Sequence, residues 1–160
     1  MGKITSIVYR PDDVPDKPAG HYSRVPLHSA HLLEGYGIEG DRKGGHPKRN
    51  LNIMAQESLS ELAGEGFKTG PGEMGEQIVI SGLAENLNSL PEGTQLQIGA
   101  QAVIEVGEPR TGCERFEAIQ GKHPDTAAGR LGVMARVVKG GVIHVGDSVQ
   151  ILQDVRVRHN

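Results

Sequence analysis

The chain has 160 residues, with 17 basic and 20 acidic side chains and a formal net charge of −3, which argues against a strongly basic nucleic-acid binder. Its length suits one domain or two very small ones. Glycine fills 23 positions, about twice its usual share, while Trp is absent and Tyr and Phe number three and two, so many tight turns are implied.

The first predicted element is a strand over residues 4–9. It follows directly on the N-terminus, without the charged lead and long apolar stretch that export needs. Residues 10–26, with Pro11, Pro15, Pro18, Gly20 and Pro26, have no period and read as a surface loop. Strands are expected over 29–34 and 51–54. From 56 to 63, Leu59, Leu62 and Ala63 fall at i, i+3 and i+4, which predicts a helix, and Gly64 is placed to stop it in a left-handed cap.

A further strand is expected over 77–80. Between 96 and 106, Leu96, Ile98, Ala102, Ile104 and Val106 share one parity while Gln97 and Gln101 take the other, giving two strands joined near Gly99 and Ala100. A shorter helix is expected from Glu114 to Ile119 or Gln120, and a strand over 133–138. Residues 142–152 read as a hairpin turning at Gly146 and Asp147. Residues 93–98 and 146–151 look alike, each a glycine, a small polar residue and an amphipathic strand. Residues 153–160 read as a tail.

Seven to nine short strands, without the crossover helices of a parallel sheet, predict a mainly β fold. The expected architecture is a closed or nearly closed β-barrel of short strands with one or two short helices, as a single domain over 1–152. No apolar run approaches the ~18 residues of a membrane span. The one cysteine, Cys113, excludes an internal disulfide and a paired-cysteine zinc site. A cytoplasmic protein with neither nucleic-acid nor membrane partners is the resulting expectation.

Two segments could carry chemistry. In the first, Glu108, Pro109, Arg110, Thr111, Gly112, Cys113, Glu114 and Arg115 follow a predicted strand. A thiol reacts as thiolate, which neighbouring cations favour, and Arg110 and Arg115 are the cations here. Glu108 and Glu114 oppose them. A buried structural cysteine is the plainer alternative. In the second, Gly35, Gly37, Gly40, Gly44 and Gly45 are interleaved with or followed by Arg42, Lys43, His46, Lys48 and Arg49. Glycine amides with positive charge can receive an anion such as phosphate, although the spacing matches neither a Walker loop nor a dinucleotide fingerprint. A solvated basic turn is the alternative.

Taken in chain order, the run Gly40, Asp41, Arg42 with His46 and Arg49, then Gly75 and Glu76, the strand residues Leu96 to Gly99 and Ile104 to Val106, Glu108, Pro109 and Arg110 with Cys113, and finally Gly140 to Ile143 with Gly146 and Asp147, resembles the MOSC family. That family is named for the C-terminal domain of molybdenum cofactor sulfurases. In two places the chain departs from it, with Gly112 where Pro often precedes the cysteine and Lys43 where His is common.

The resemblance implies a β-barrel similar to the pyruvate-kinase barrel, with one important cysteine that carries sulfur as a persulfide or ligates molybdenum. Cys113 and Arg110 are then the candidate catalytic residues, with Cys113 also the candidate molybdenum ligand. Arg42, Lys43, His46, Arg49, Gly112 and Cys113 are the candidates for binding molybdenum cofactor, whose pterin carries a phosphate. The chain is too short for the pyridoxal-phosphate domain of full-length sulfurases, so no pyridoxal phosphate is expected. Sulfur would come from a cysteine desulfurase, and a molybdoenzyme is the other partner implied. A cofactor carrier without turnover and a molybdenum-dependent reductase of N-oxygenated compounds are the alternative functions.

Overall fold

β1 (Gly2–Tyr9) begins by alternating inward Ile4 with outward Lys3 and Thr5, so that one face of the strand is apolar. The computed structural model describes residues 1–13, 20–47 and 49–153. Among these the remaining strands are β2 (Val25–Pro26), β3 (Ser29–Leu33), β4 (Gly37–Ile38), β5 (Leu51–Ala55), β6 (Ile78–Ser81), β7 (Gln95–Ile98), β8 (Ala102–Pro109), β9 (Val133–Lys139), β10 (Gly141–His144) and β11 (Ser148–Gln153). The helices are α1 (Gln56–Gly64) and α2 (Glu114–Gln120), with single 3-10 turns at Leu87–Ser89 and Pro124–Ala127.

The order β11-β7-β8-β9-β5-β6-β1 closes on itself where Gly2 of β1 pairs with Val149 of β11, making a seven-strand barrel. Closure removes the free sheet edges that an open sheet would leave. The mainly β barrel with two short helices is the expected fold class. Its interior is aliphatic, with Ile4, Leu51, Ile53, Ile104 and Val137 all at or below 1% exposure. The look-alike segments at 93–98 and 146–151 turn out to be neighbours: β7 and β11 pair antiparallel, Leu96 opposite Ile151.

Outside the barrel, Met54 of β5 and Val79 of β6 form a second apolar cluster with Leu59 and Leu62 of α1, Phe67, Phe116 of α2 and Leu131. Both helices pack on this outer wall. The same wall carries Asn52, two residues before Met54 on β5 and so on the same face.

Several expectations are corrected. The hairpin over 142–152 does not form: β10 pairs with β3, Val142 opposite His31, in a separate sheet of order β10-β3-β4. The turn at Gly146 and Asp147 exists, but its backbone bonds go to β1, with the Gly146 amide on the Ile4 carbonyl at 2.7 Å and the Ile4 amide on the Asp147 carbonyl at 2.9 Å. Both edges of β11 are then occupied, by β7 and β1, leaving none for β10.

One crossover helix is present after all, since β5 and β6 run parallel and α1 lies between them in sequence. The helix stop is also displaced, because Gly64 is the last helical residue and the positive φ falls at Gly66. Ser58, rather than Ala63, joins Leu59 and Leu62 on its buried face. Residues 10–26 are not wholly surface: Arg10 and Ser23 are buried and 25–26 form β2. Residues 14–19 of that segment, Lys48, and the expected tail apart from Gln153 lie outside the described residues.

Candidate functional site

The glycine-rich basic segment is a built loop. Asp41 is fully buried, and its Oδ1 accepts from the amides of Arg10 and Lys43 at 3.0 and 3.1 Å while Oδ2 accepts from Gln77 Nε2 at 3.2 Å. The Tyr36 hydroxyl donates to the Asp41 carbonyl at 2.6 Å, and its ring lies so close to Gly44 that a Cβ there would stand 2.5 Å from it. At the far end buried Asn50 donates through Nδ2 to the Gly35 and His46 carbonyls and accepts from the Val137 amide at 2.9 Å. The loop is thereby fastened to β9.

The cysteine segment leaves β8 at Pro109. The Arg110 amide donates to Gly132 O, and its guanidinium donates through Nη1 to Leu131 O at 3.1 Å and through Nη2 to Met74 O at 2.9 Å. A Cβ at Gly112 would run into Pro124 and stand 3.1 Å from Phe116 Cδ1, so the residue before the cysteine has to be small in this chain. Cys113 is exposed and sits at the N-cap position of α2, its carbonyl accepting from the Glu117 amide at 3.0 Å. The plainer alternative of a buried cysteine does not describe it.

The two segments meet. A cavity of about 380 Å³ on the outer wall of the barrel is lined by Cys113, Gly112, Thr111 and Arg110 from one, by Lys43, Arg49 and Asn50 from the other, and by Tyr22, Arg24, Asn52, Gly75, Gln77, Arg115 and Met134. Five of these side chains are cationic, and among the described residues no carboxylate lines the cavity. Its counter-charges lie beneath. Glu76, fully buried, accepts from the amides of Gly72 and Met74 at 2.7 and 3.1 Å. Burial pulls Arg24 and Arg110 below the usual arginine range; Asp41 and then Glu76 oppose this for Arg24, and Glu76 for Arg110.

Tyr22 has the guanidinium groups of Arg24 and Arg115 5.4 and 5.3 Å from its ring centroid, and Arg115 also donates to the His21 carbonyl at 3.2 Å. Burial, then the charge of Cys113, raises the Tyr22 phenol above its ordinary value against the pull of Arg110, Arg115 and Arg24. Gly75 has φ +81°, and a Cβ there would stand 3.1 Å from Arg110 Nη2 and 3.2 Å from Tyr22 Cζ.

Lys43, Arg49, Arg110, Gly112 and Cys113 thus share one cavity. Arg42 and His46 are not part of its lining. Arg42 pairs with Asp12 at 3.3 Å, and His46 lines a neighbouring cavity of about 650 Å³ that shares Arg49 and Met134 with the first. Sequence reasoning missed Tyr22 and Arg24, which come from a segment without periodicity. It also missed Asn52 and Met134, whose outward parity on β5 and β9 was the only signal for them.

Fold and cavity define a small barrel domain with a cationic pocket on its outer wall and a thiol at that pocket. The chain belongs to the MOSC domain family, whose model matches residues 40–150, from the glycine loop to β11. This family is associated with the molybdenum cofactor. Among solved structures, the chain is similar to the YuaD protein of Bacillus subtilis, at 22% identity and TM-score 0.69 over 93% of this chain and 94% of that one.

It is similar as well to YiiM from Geobacillus stearothermophilus, at 17% identity and TM-score 0.71 over 96% and 76% of the two chains. YiiM from Escherichia coli gives 20% identity and TM-score 0.68 over 96% and 71%. At these identities the likeness is one of fold. No curated protein matches the chain. Among the described residues no helix is long and apolar enough to cross a membrane.

Proposed function

We propose that this chain holds molybdenum cofactor in the Cys113 cavity and that Cys113 carries sulfane sulfur, as a persulfide, for transfer to it. The observation that carries this reading is the exposed thiol on a cavity lined, among the described residues, by five cationic side chains and no carboxylate. Such a cavity suits a ligand with several negative charges, and its donor set fits a pterin phosphate. Lys43 and Arg49 on the rim are the residues for the phosphate, with Arg24 and Arg115 adding positive charge beside Tyr22. When bound, the cofactor supplies a molybdenum centre already held by sulfur ligands, a soft acceptor for further sulfur.

Exposure of Cys113 supports loading by a protein donor such as a cysteine desulfurase, because a donor persulfide has to reach the thiolate within bonding distance. The Cys113 thiolate attacks the outer sulfur of that persulfide. The donor's S–S bond breaks, its electron pair leaves on the donor thiolate, and Cys113 keeps the outer sulfur and its proton. The cationic surroundings stabilise the Cys113 thiolate before this step, and the persulfide anion once the outer sulfur has released its proton to solvent.

The test is incubation with a cysteine desulfurase and free cysteine, followed by mass analysis of the Cys113 peptide. The expected result is a gain of one sulfur atom that a reductant removes, together with pterin and molybdenum in freshly purified protein. A thiol that stays unmodified overturns the sulfur-carrier role, and loss of molybdenum in Cys113→Ser without any sulfur adduct in the wild type would assign Cys113 as a metal ligand instead.

A further inference from the structure

The five cationic side chains of the cavity offer donors only, and an anion can meet them. The acceptors in the wall are accounted for differently. Asn50 Oδ1 is taken by the Val137 amide at 2.9 Å, and Gln77 Oε1 by the Asn52 amide at 2.7 Å. Asn52 Oδ1 is buried and accepts no hydrogen bond. Buried carbonyl oxygens in this condition are uncommon, and each one calls for a partner.

Of the neighbouring arginines, Arg110 is committed to the Met74 and Leu131 carbonyls, and Arg24 donates from Nη1 to the Ser23 carbonyl at 2.9 Å while its own Nε is buried without an acceptor. Neither fills the gap. The backbone of Asn52 is fixed on both sides, opposite Met134 across the β5–β9 pairing and bonded to Gln77, which Asp41 holds in turn. The side-chain amide, in contrast, is held only by a 3.4 Å contact from Nδ2 to the Gly75 carbonyl, at the outer limit of hydrogen bonding. Rotation about Cβ–Cγ gives up little and can turn the carbonyl toward a ligand, because this torsion is broad for Asn.

We infer that Asn52 is a specificity-determining residue which accepts a hydrogen bond from a ring N–H of the ligand. The cavity then selects a molecule that is anionic at one end and presents an N–H-bearing heterocycle at the other. This rests on the cofactor reading above and adds which part of the cofactor lies over β5: the N–H-bearing pterin ring system, with the phosphate toward the arginines. A ligand that lacks that N–H leaves Asn52 Oδ1 unpaired and loses affinity for that reason.

Fluorescence titration of the full chain with 6-carboxypterin and with 1,3-dimethyllumazine-6-carboxylate tests this. Both carry a carboxylate for the arginines, but only the first has a ring N–H. The expected result is that the dimethyl compound binds wild type at least about tenfold more weakly, that Asn52→Leu brings the two within about twofold, and that Asn52→Asp keeps the preference. Equal affinities in the wild type overturn the Asn52 assignment while leaving the cofactor reading in place, as does a preference that survives in Asn52→Leu.

If Asn52→Leu does not fold, the wild-type pair and Asn52→Asp decide, and an Asp variant without preference overturns the assignment. If neither compound binds, pterin content per purified chain decides. A fall of about tenfold or more in the folded Asn52 variant lacking the acceptor supports the assignment, and an unchanged content overturns it. Absence of pterin from wild type overturns the cofactor reading itself, and this inference with it.

Discussion

Arg110 reaches across 36 positions of sequence to donate its Nη2 proton to the Met74 carbonyl at 2.9 Å, tying the cysteine segment to the Gly72–Gly75 turn. Its other terminal nitrogen holds Leu131. Arg110 therefore fixes the walls of the cavity. Replacing it with Met removes both bonds and strands two carbonyls, a loss expected to cost about 1–3 kcal/mol in urea unfolding. Arg110→Lys, which can keep one of the bonds, should fall between the two, and unchanged stability in both variants would contradict the clamp.

The field of the cavity can be read at the thiol. Iodoacetate is an anion and iodoacetamide is neutral, so their rate ratio at Cys113 reports local potential with intrinsic reactivity largely cancelled. That ratio is expected to exceed the ratio for free cysteine severalfold at low salt and to collapse toward it near 1 M salt, where the screening length is about 3 Å. Arg49→Gln should lower it. A ratio equal to that of free cysteine at low salt would mean that the five cations do not act on this sulfur.

Burial holds the Glu76 carboxyl above its ordinary value of 4.5, against the opposing pull of the Gly72 amide, its own amide, Arg110 and the Met74 amide. The folded chain then keeps that proton to a higher pH than the unfolded chain. The contribution of Glu76 is thus fully present below the ordinary carboxylate range and is lost as pH rises through the raised value. The unfolding free energy of wild type minus that of Glu76→Gln is expected to fall from about pH 4 upward and then level off. A difference that grows over this window contradicts the shift.

Phe116 is 2% exposed, with its ring centroid 6.2 Å from that of Phe67, and it seats α2 on the outer wall. Phe116→Ala is expected to cost about 3–5 kcal/mol. Because Cys113 sits at the N-cap of that helix, the same variant should also lower the iodoacetate-to-iodoacetamide ratio, whereas a comparable cavity in the barrel interior, Ile104→Ala, should cost stability alone.

Much of the barrel was legible in the chain itself. β7 and β8 follow the alternation of Leu96, Ile98, Ala102, Ile104 and Val106, all buried, and the short helix after Cys113 begins at Glu114. The pairing of strands was less legible. Residues 142–152 carry every local mark of a hairpin, yet β10 and β11 part because β1 takes the backbone groups of their turn. Local pattern states which face of a strand is buried; it does not state which neighbour wins each edge.

The sequence alone determined that this is a glycine-rich β protein with one thiol, set in an arginine-bearing turn, and a second turn rich in positive charge. These are properties of composition and short-range spacing, because side-chain parity and turn conformation are settled within a few residues. Only the tertiary structure decided that the two turns share a cavity, that Tyr22 and Arg24 complete it from a segment without periodicity, and that Asn52 and Met134 lie side by side beneath it. Those relations depend on barrel closure and strand order, where residues far apart in the chain compete for the same edge or the same patch of wall, and no local period encodes the outcome.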